Sequence, residues 1–266
     1  TRLIATHGGT FHADDVFGVA VLATVFPDHV IIRTRSAEEI PRADFVVDVG
    51  GIWDPATGRF DHHQRGFEGT RTDGAPGCGP AEKYASAGLV WREYGGVCVQ
   101  RLAHSLGHPV TTEVAAQIAA DADASLVRYL DLVDNGAAEV APGIFGLSSQ
   151  VSLLNSTWLE EKALDADAVA TLQLERFHEA MTAVDRTLRR FVLRAIGQDL
   201  AAETVRTSRR LLHGRVLLLA NGGMPWTRVV VPEMPDVLLV IYPETGRSQY
   251  QIRTVPAAQG SFASRM

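Results

Sequence analysis

The sequence predicts an α/β protein in three parts: a parallel sheet with flanking helices over residues 1–160, a helical connector over 161–203, and a smaller, mainly antiparallel α+β domain over 204–266. Three observations carry that prediction. The first half alternates short apolar, strand-like runs with helix-like ones, the pattern of parallel strands joined by helical crossovers. From 160 to 200 the chain is charged and helical in period, as in LQLERFHEAMTAVDRTLRRFVLR. After 204 the strand-like runs RVLLLAN, TRVVVP, DVLLVIYP and YQIRTVP follow one another with Pro or Gly between them.

Taken in order, Leu3 to Thr6 is a short buried strand, and Gly8-Gly9 is a turn. Asp14 to Phe26 carries Val16, Val19, Ala20 and Ala23 at helical spacing. Val30 to Arg33 is a second strand, and Phe45 to Val49 a third, ended by Gly50-Gly51. IWDPATGRFDHH reads as a hairpin with Pro55 and Gly58 in its turn. Residues 66–80, rich in Gly, Pro and Thr, are expected to form a mobile loop, with helices following over 81–95, 97–106 and 112–133. In open parallel sheets, ligands collect where loops leave the carboxyl ends of strands. His7 follows the first strand and Asp48 ends the third.

Composition bounds the function. With 46% apolar and 21% charged residues among 266, the chain can bury at least one full core and is not disordered in character. No apolar run reaches membrane-spanning length, and the N-terminus lacks the pattern of a secretory signal. Two cysteines, Cys78 and Cys98, are too few for a disulfide framework, so a cytoplasmic location is expected. A formal charge of −6 gives no electrostatic footprint for long nucleic acids, leaving a small phosphorylated substrate or a strand end. Only Lys83 and Lys162 are lysines; the other cationic residues are arginines, a bias more compositional than functional. His104, His108, His178 and His213 read as surface, turn or connector histidines, and Trp158 and Trp226 as packing residues rather than base-stacking platforms.

Three clusters carry chemistry: His7, His12, Asp14 and Asp15; Asp48 before Gly50-Gly51; and Asp61-His62-His63. Asp134, in Asp134-Asn135-Gly136, is a fourth candidate. Singly, each has an ordinary explanation, Asp14 or Asp15 as a helix N-cap and Asp134 in a helix C-terminal turn. A carboxylate ending an apolar strand, however, needs a partner, and adjacent histidines after an aspartate are unusual. Imidazole with carboxylate suits Mn, Zn, Fe or Co, and the carboxylates also admit Mg. Two ions about 3.5–4 Å apart need a bridging ligand, which the two oxygens of Asp48 could supply. Asp14, Asp48, Asp61 and Asp134 would repel one another in one pocket unless cations neutralised them.

THGGTFHADD, VVDVGG, FDHHQRGF, SAGLVWREYG and VDNG resemble the Myg family, named for a melanocyte-proliferating gene. The Asp61-His62-His63 triplet, the strand-terminal aspartate and the N-terminal His/Asp cluster resemble the wider DHH phosphoesterase superfamily. The likeness runs through most of the chain, including the late PW and QIRTVP segments. It implies a DHH-like N-terminal domain holding two divalent ions, Mn²⁺ the expected one, with Mg²⁺, Co²⁺ and Zn²⁺ compatible. By the resemblance, His7, His12 and Asp48 would hold one ion, and Asp14, Asp48, His62 and Asp134 the other. His12 stands where more distant DHH enzymes have an aspartate. Asp61 would orient a histidine, and His63 would face the substrate phosphate. Arg33, Arg65 and Arg253 are weaker candidates for phosphate contact. Family members continue past SFASRM into a Gly-rich, His-containing segment, so the last domain is expected to be a shortened one.

The activity implied is a metal-dependent phosphodiesterase with 3′-to-5′ exonuclease action on short single-stranded RNA or oligonucleotides. A DHH-type inorganic pyrophosphatase shares the ligands but needs a basic second-domain motif, and no lysine follows Lys162. A peptide hydrolase and a metal- or nucleotide-binding regulator without turnover are the remaining alternatives.

Overall fold

The computed structural model describes residues 1–71, 82–137 and 146–265. Most of the loop expected over 66–80, with Cys78, lies outside the described residues. The chain divides into two compact units, Thr1–Val192 and Leu193–Met266.

The first unit opens with β1 (Arg2–Thr6), α1 (Ala13–Val25), β2 (His29–Arg33) and β3 (Phe45–Val47). The expected hairpin follows as β4 (Trp53–Asp54) and β5 (Arg59–Phe60), turning through Pro55–Thr57, with Gly58 left-handed at φ 74°. Strand order is β2-β1-β3-β5-β4, parallel except for the β4–β5 pair. The chain adds β2 on one side of β1 and then β3 on the other, which leaves a switch point at the carboxyl ends of β1 and β3. Register fixes what stands there. Thr6 pairs with Val47, and Val47 with Phe60. The next residues of the three strands, His7, Asp48 and Asp61, therefore leave the sheet side by side.

Helices cover the sheet. α1 is buried from Ala13 to Leu22, its two acids included, as expected of a helix packed on all sides. It lies so close to the sheet and to α2 (Ser86–Ser105) that a Cβ on Gly18 would come within 2.9 Å of Val47 and 3.3 Å of Val90. The helices expected over 81–95 and 97–106 are this one helix. Gly95-Gly96 does not break it, because Trp91 folds its ring over Gly95 and donates from Nε1 to the Ala119 carbonyl at 3.0 Å.

The segment expected as one helix over 112–133 comprises α3 (Thr112–Ala122), a π-turn over Asp123–Val127, and α4 (Arg128–Asp134). Such wide turns cluster at functional sites. Two short helices, α5 (Leu147–Ser152) and α6 (Trp158–Glu161), precede α7 (Ala166–Thr207), a helix of 42 residues. Trp158, expected as a packing residue, is 76% exposed with the Lys162 ammonium over its ring.

The second unit carries β6 (Arg209–Leu211), β7 (Val216–Leu218), α8 (Thr227–Glu233), β8 (Leu239–Pro243) and β9 (Tyr250–Thr254). Its sheet runs β6-β7-β8-β9, antiparallel except for β7–β8, over a core that includes Val205, Leu217, Val230, Val237 and Val240. TRVVVP, expected as a strand, is the helix α8. Its β-branched run favours a strand locally, but burial of Val229 and Val230 in this core decides otherwise. Arg265 then satisfies the carbonyls at the helix end, donating to Val231 and, at 2.7 Å, to Met234. Among the described residues no helix is long and apolar enough to cross a membrane.

Candidate metal centre

The three strand ends place His7, Asp48 and Asp61 abreast, and the chain around Asp48 explains the VVDVGG pattern. Asp48 sits in the left-handed region at φ 57°, and Gly50 and Gly51 follow at 94° and 67°. Aspartate tolerates this conformation better than most residues, but it carries strain that the surroundings must hold. Gly51 donates its N–H to Asp61 Oδ2 at 2.6 Å, which closes the turn beneath the carboxylates.

Asp48 turns one carboxylate oxygen to each side. Its Oδ2 lies 3.4 Å from His7 Nε2, and its Oδ1 lies 3.4 Å from His62 Nε2 and 3.3 Å from His63 Nδ1. The Ser86 hydroxyl, at the start of α2, donates to Oδ1 at 3.1 Å. His62 Nε2 is also 3.1 Å from Asp134 Oδ2 and 4.0 Å from Asp14 Oδ2. Asp61 Oδ1 takes both the backbone N–H of His63, at 3.0 Å, and its ring Nδ1, at 2.8 Å. That leaves Nε2 of His63 as the free end of a ring whose side chain is 62% exposed.

Among the described residues three overlapping triads have donor atoms within 4.8 Å of one another and could hold a metal ion: His7, His12 and Asp48; Asp48, His62 and His63; and His12, Asp14 and Asp134. His7, His12, Asp14, Asp48, His62 and Asp134 are thus in one place. His7, His12, Asp48 and Asp134 border a cavity of about 460 Å³ that Asp61 and His63 also line, with the exposed Arg35 at its edge.

The electrostatics fit a cation. Burial, then the charges of Asp48 and Asp134, pushes the Asp14 carboxyl well above its usual range. Among the described residues neither of its oxygens has a hydrogen-bond donor. An orphaned buried carboxyl is costly unless something positive meets it. Asp15 is raised to about 7, chiefly by burial, against the opposing pull of His7. Burial lowers the imidazoles, but hydrogen bonding to Asp134 and Asp48 outweighs it at His62, which rises to about 10. At His63 the bond to Asp48 leads, and its value rises to about 9. Burial likewise opposes the rise at His7, where the bond to Asp48 and the charge of Asp15 prevail. Asp48 goes the other way: burial raises it, but bonds to His62, His63 and His7 depress it far below the carboxylate range. Protonated, these imidazoles offset the charge of the carboxylates around them. The nitrogen and oxygen donors suit Mn, Zn, Fe or Co.

Arg33 and Arg65 are not among the described residues that line this cavity. Arg33 packs against the rings of Phe11 and Phe177 and donates to the carbonyls of Gly9, at 2.6 Å, and Gln173, at 3.3 Å. Arg65 is exposed, two residues beyond His63. Arg253 stands on β9 of the second unit, 3.2 Å from Gln251. Arg35, which the sequence reading passed over, is the arginine at the cavity edge.

Three further groups went unassigned. Asp15 accepts the His12 backbone N–H at 2.8 Å while its other oxygen stands 3.3 Å from His7 Nε2, so it holds the start of α1 and sets a negative charge beside His7. An acid at the third position of a helix reads locally as a cap, which hid this role. Ser86 opens the SAGLVWREYG segment, but nothing in the sequence tied it to Asp48. Asp131, fully buried on α4, takes two bonds from Arg71, at 3.1 and 2.5 Å, and one from the Gly88 N–H at 2.9 Å. This clamp ties α4, and so Asp134 one turn on, to the start of α2.

Across residues 3–266 the chain matches the family model MYG1_exonuc, described as an uncharacterised protein family (UPF0160). It is 30% identical to the MYG1 protein C27H6.8 of Caenorhabditis elegans, over 100% of this chain and 81% of that protein. It is 31% identical to the MYG1 exonuclease of Mus musculus, over 99% of this chain and 71% of that one. With the MYG1 exonuclease of Homo sapiens it shares 30%, over 99% and 72%.

Proposed function

The chain belongs to the MYG1_exonuc family, and from that membership and the geometry we propose that it is a metal-dependent phosphodiesterase of the DHH type, removing nucleotides from the 3′ end of short single-stranded RNA or oligonucleotides. The exonuclease names of its mammalian relatives support a nuclease. The observation that carries the metal dependence is the orphaned Asp14 carboxyl beside Asp48, whose two oxygens address different imidazoles.

In this reading His7, His12 and Asp48 hold one divalent ion, and Asp14, Asp48, His62 and Asp134 a second, Mn²⁺ suiting both. Such ions would supply the positive charge that activates water and neutralises the phosphoryl oxygens. The chain's own residues do the rest. Ser86 and the strained turn hold the Asp48 carboxylate in place. Asp15 holds the His12 backbone N–H, and the Gly8 carbonyl, 3.3 Å from His7 Nδ1, is the partner that would orient the His7 ring. Asp61 holds Nδ1 of His63, so Nε2 is the atom that donates to a phosphoryl oxygen or to the leaving oxygen. Arg35, at the cavity edge, is placed to meet the substrate's negative charge.

A pyrophosphatase would use the same ligands but must grip a compact, highly charged anion, and no lysine follows Lys162. The test is a Mn²⁺-supplemented assay on short RNA, short DNA and pyrophosphate. Mononucleotides released from RNA ahead of phosphate from pyrophosphate are expected. The reverse order overturns the proposal in favour of the pyrophosphatase.

A further inference from the structure

Beside the metal centre the first unit holds a second cavity, of about 640 Å³, that the catalytic reading leaves without a purpose. It opens on the centre, because His12, Asp14 and Asp134 line it as well. Leu130 and Val133 of α4 give it apolar wall, and so does Leu153, which is 72% exposed and covered by nothing described. Ser148, Ser149 and Ser152 line it too, and among the described residues their hydroxyls carry no hydrogen bond. Among the described lining residues there is neither lysine nor arginine.

That inventory selects a ligand. Beyond the ion that Asp14 and Asp134 would hold for the reacting phosphoryl group, a second phosphate would find no cationic side chain among the described lining residues. An uncharged group with a flat apolar body and polar edges would bury its faces on the leucine and valine side chains. It would exchange hydrogen bonds with hydroxyls that rotate to suit a donor or an acceptor. The volume lies within the range of about 300–1,000 Å³ usual for small-molecule sites.

We propose that this cavity receives the nucleoside of a substrate whose phosphoryl group lies at the metal centre; the proposal rests on the phosphodiesterase reading above. Three adaptable hydroxyls, with no Phe, Tyr or Trp among the described lining residues, make the site tolerant of base identity, as removal of successive nucleotides requires. Pyrophosphate would leave the cavity empty, so it also separates the two substrate classes.

The test is calorimetric titration of the Mn²⁺-loaded full chain with adenosine monophosphate and, separately, with inorganic phosphate. The nucleotide is expected to bind at least tenfold tighter. Ser152→Trp, which places an indole in the cavity, should bring the two affinities together, and the milder Ser149→Leu should narrow the gap should the first variant fail to fold. Equal affinities in the wild type overturn this inference and leave the metal-centre reading standing. So does a wild-type preference that neither folded variant reduces, since the nucleoside then binds elsewhere. Binding of neither ligand overturns both.

Discussion

Asp48 is the residue on which the centre turns, because a strained backbone and two differently aimed oxygens coincide there. If it bridges, Asp48→Ala should empty both positions and reduce turnover at least a hundredfold. His63→Ala should leave metal content near two per chain while slowing turnover, since its Nδ1 is already engaged by Asp61. Elemental analysis beside the RNA assay checks both. Metal lost from His63→Ala but kept by Asp48→Ala would reverse the roles, and the triad of Asp48, His62 and His63 makes that outcome a real contest. Asp61→Asn should retain the metals yet cost about 10–100-fold in turnover, the usual effect of removing an orienting partner. At this scale the sequence showed the histidines and aspartates that stand where strands end, because an acid closing an apolar run has no local explanation. It hid Asp15, whose position in the helix offers a local explanation, and Ser86 and Asp131, whose partners are 38 and 43 residues away.

Among the elements, the tightest fit is where α1 crosses the sheet. Alanine is normally favoured over glycine within a helix by about 1 kcal/mol. At Gly18 the added Cβ would stand 2.9 Å from Val47 Cγ1, and overpacking of that kind costs about 1–3 kcal/mol. Gly18→Ala should therefore destabilise, and because Val47 immediately precedes Asp48 it should also weaken Mn²⁺ binding. Gly96→Ala is the control, since a Cβ there meets nothing within 4 Å and should stabilise by up to about 1 kcal/mol. Urea melts of the two variants should move in opposite directions, and a stabilised Gly18→Ala would mean that Val47 gives way. The same balance explains which elements were legible. Strands β1, β2 and β3 and helix α1 declare themselves because period, composition and burial agree. At Gly95-Gly96 and in TRVVVP local preference pointed one way and packing the other. Trp91 and the second core settled them, and neither contact is visible along the chain.

For the whole molecule, the buried acids make folding, protons and metal compete for one site. In the metal-free protein the values of His62 and His63 rise to about 10 and 9 from an unfolded value of 6.5. Stability gained from those charged imidazoles is complete below pH 6.5 and is lost as pH climbs through 9 and 10. Asp15, raised by burial to about 7, acts in the same direction: between its unfolded value of 3.8 and 7 the folded state binds the extra proton, so rising pH again destabilises it. Depressed Asp48 contributes in the opposite sense, but its contribution is already complete well below neutral pH. Metal binding reverses the trend. The ion replaces the protons on the imidazoles, so apparent affinity should rise by about tenfold per pH unit for each proton displaced. At a hundredfold excess over Kd a ligand specific for the native state adds about 2.7 kcal/mol. Melting temperatures measured from pH 6 to 8.5 should therefore fall in chelator, and the gap between Mn²⁺ and chelator should widen steadily. A gap that stays constant would show that the ion does not displace these protons, and no gap at any pH would show that the cluster does not bind it.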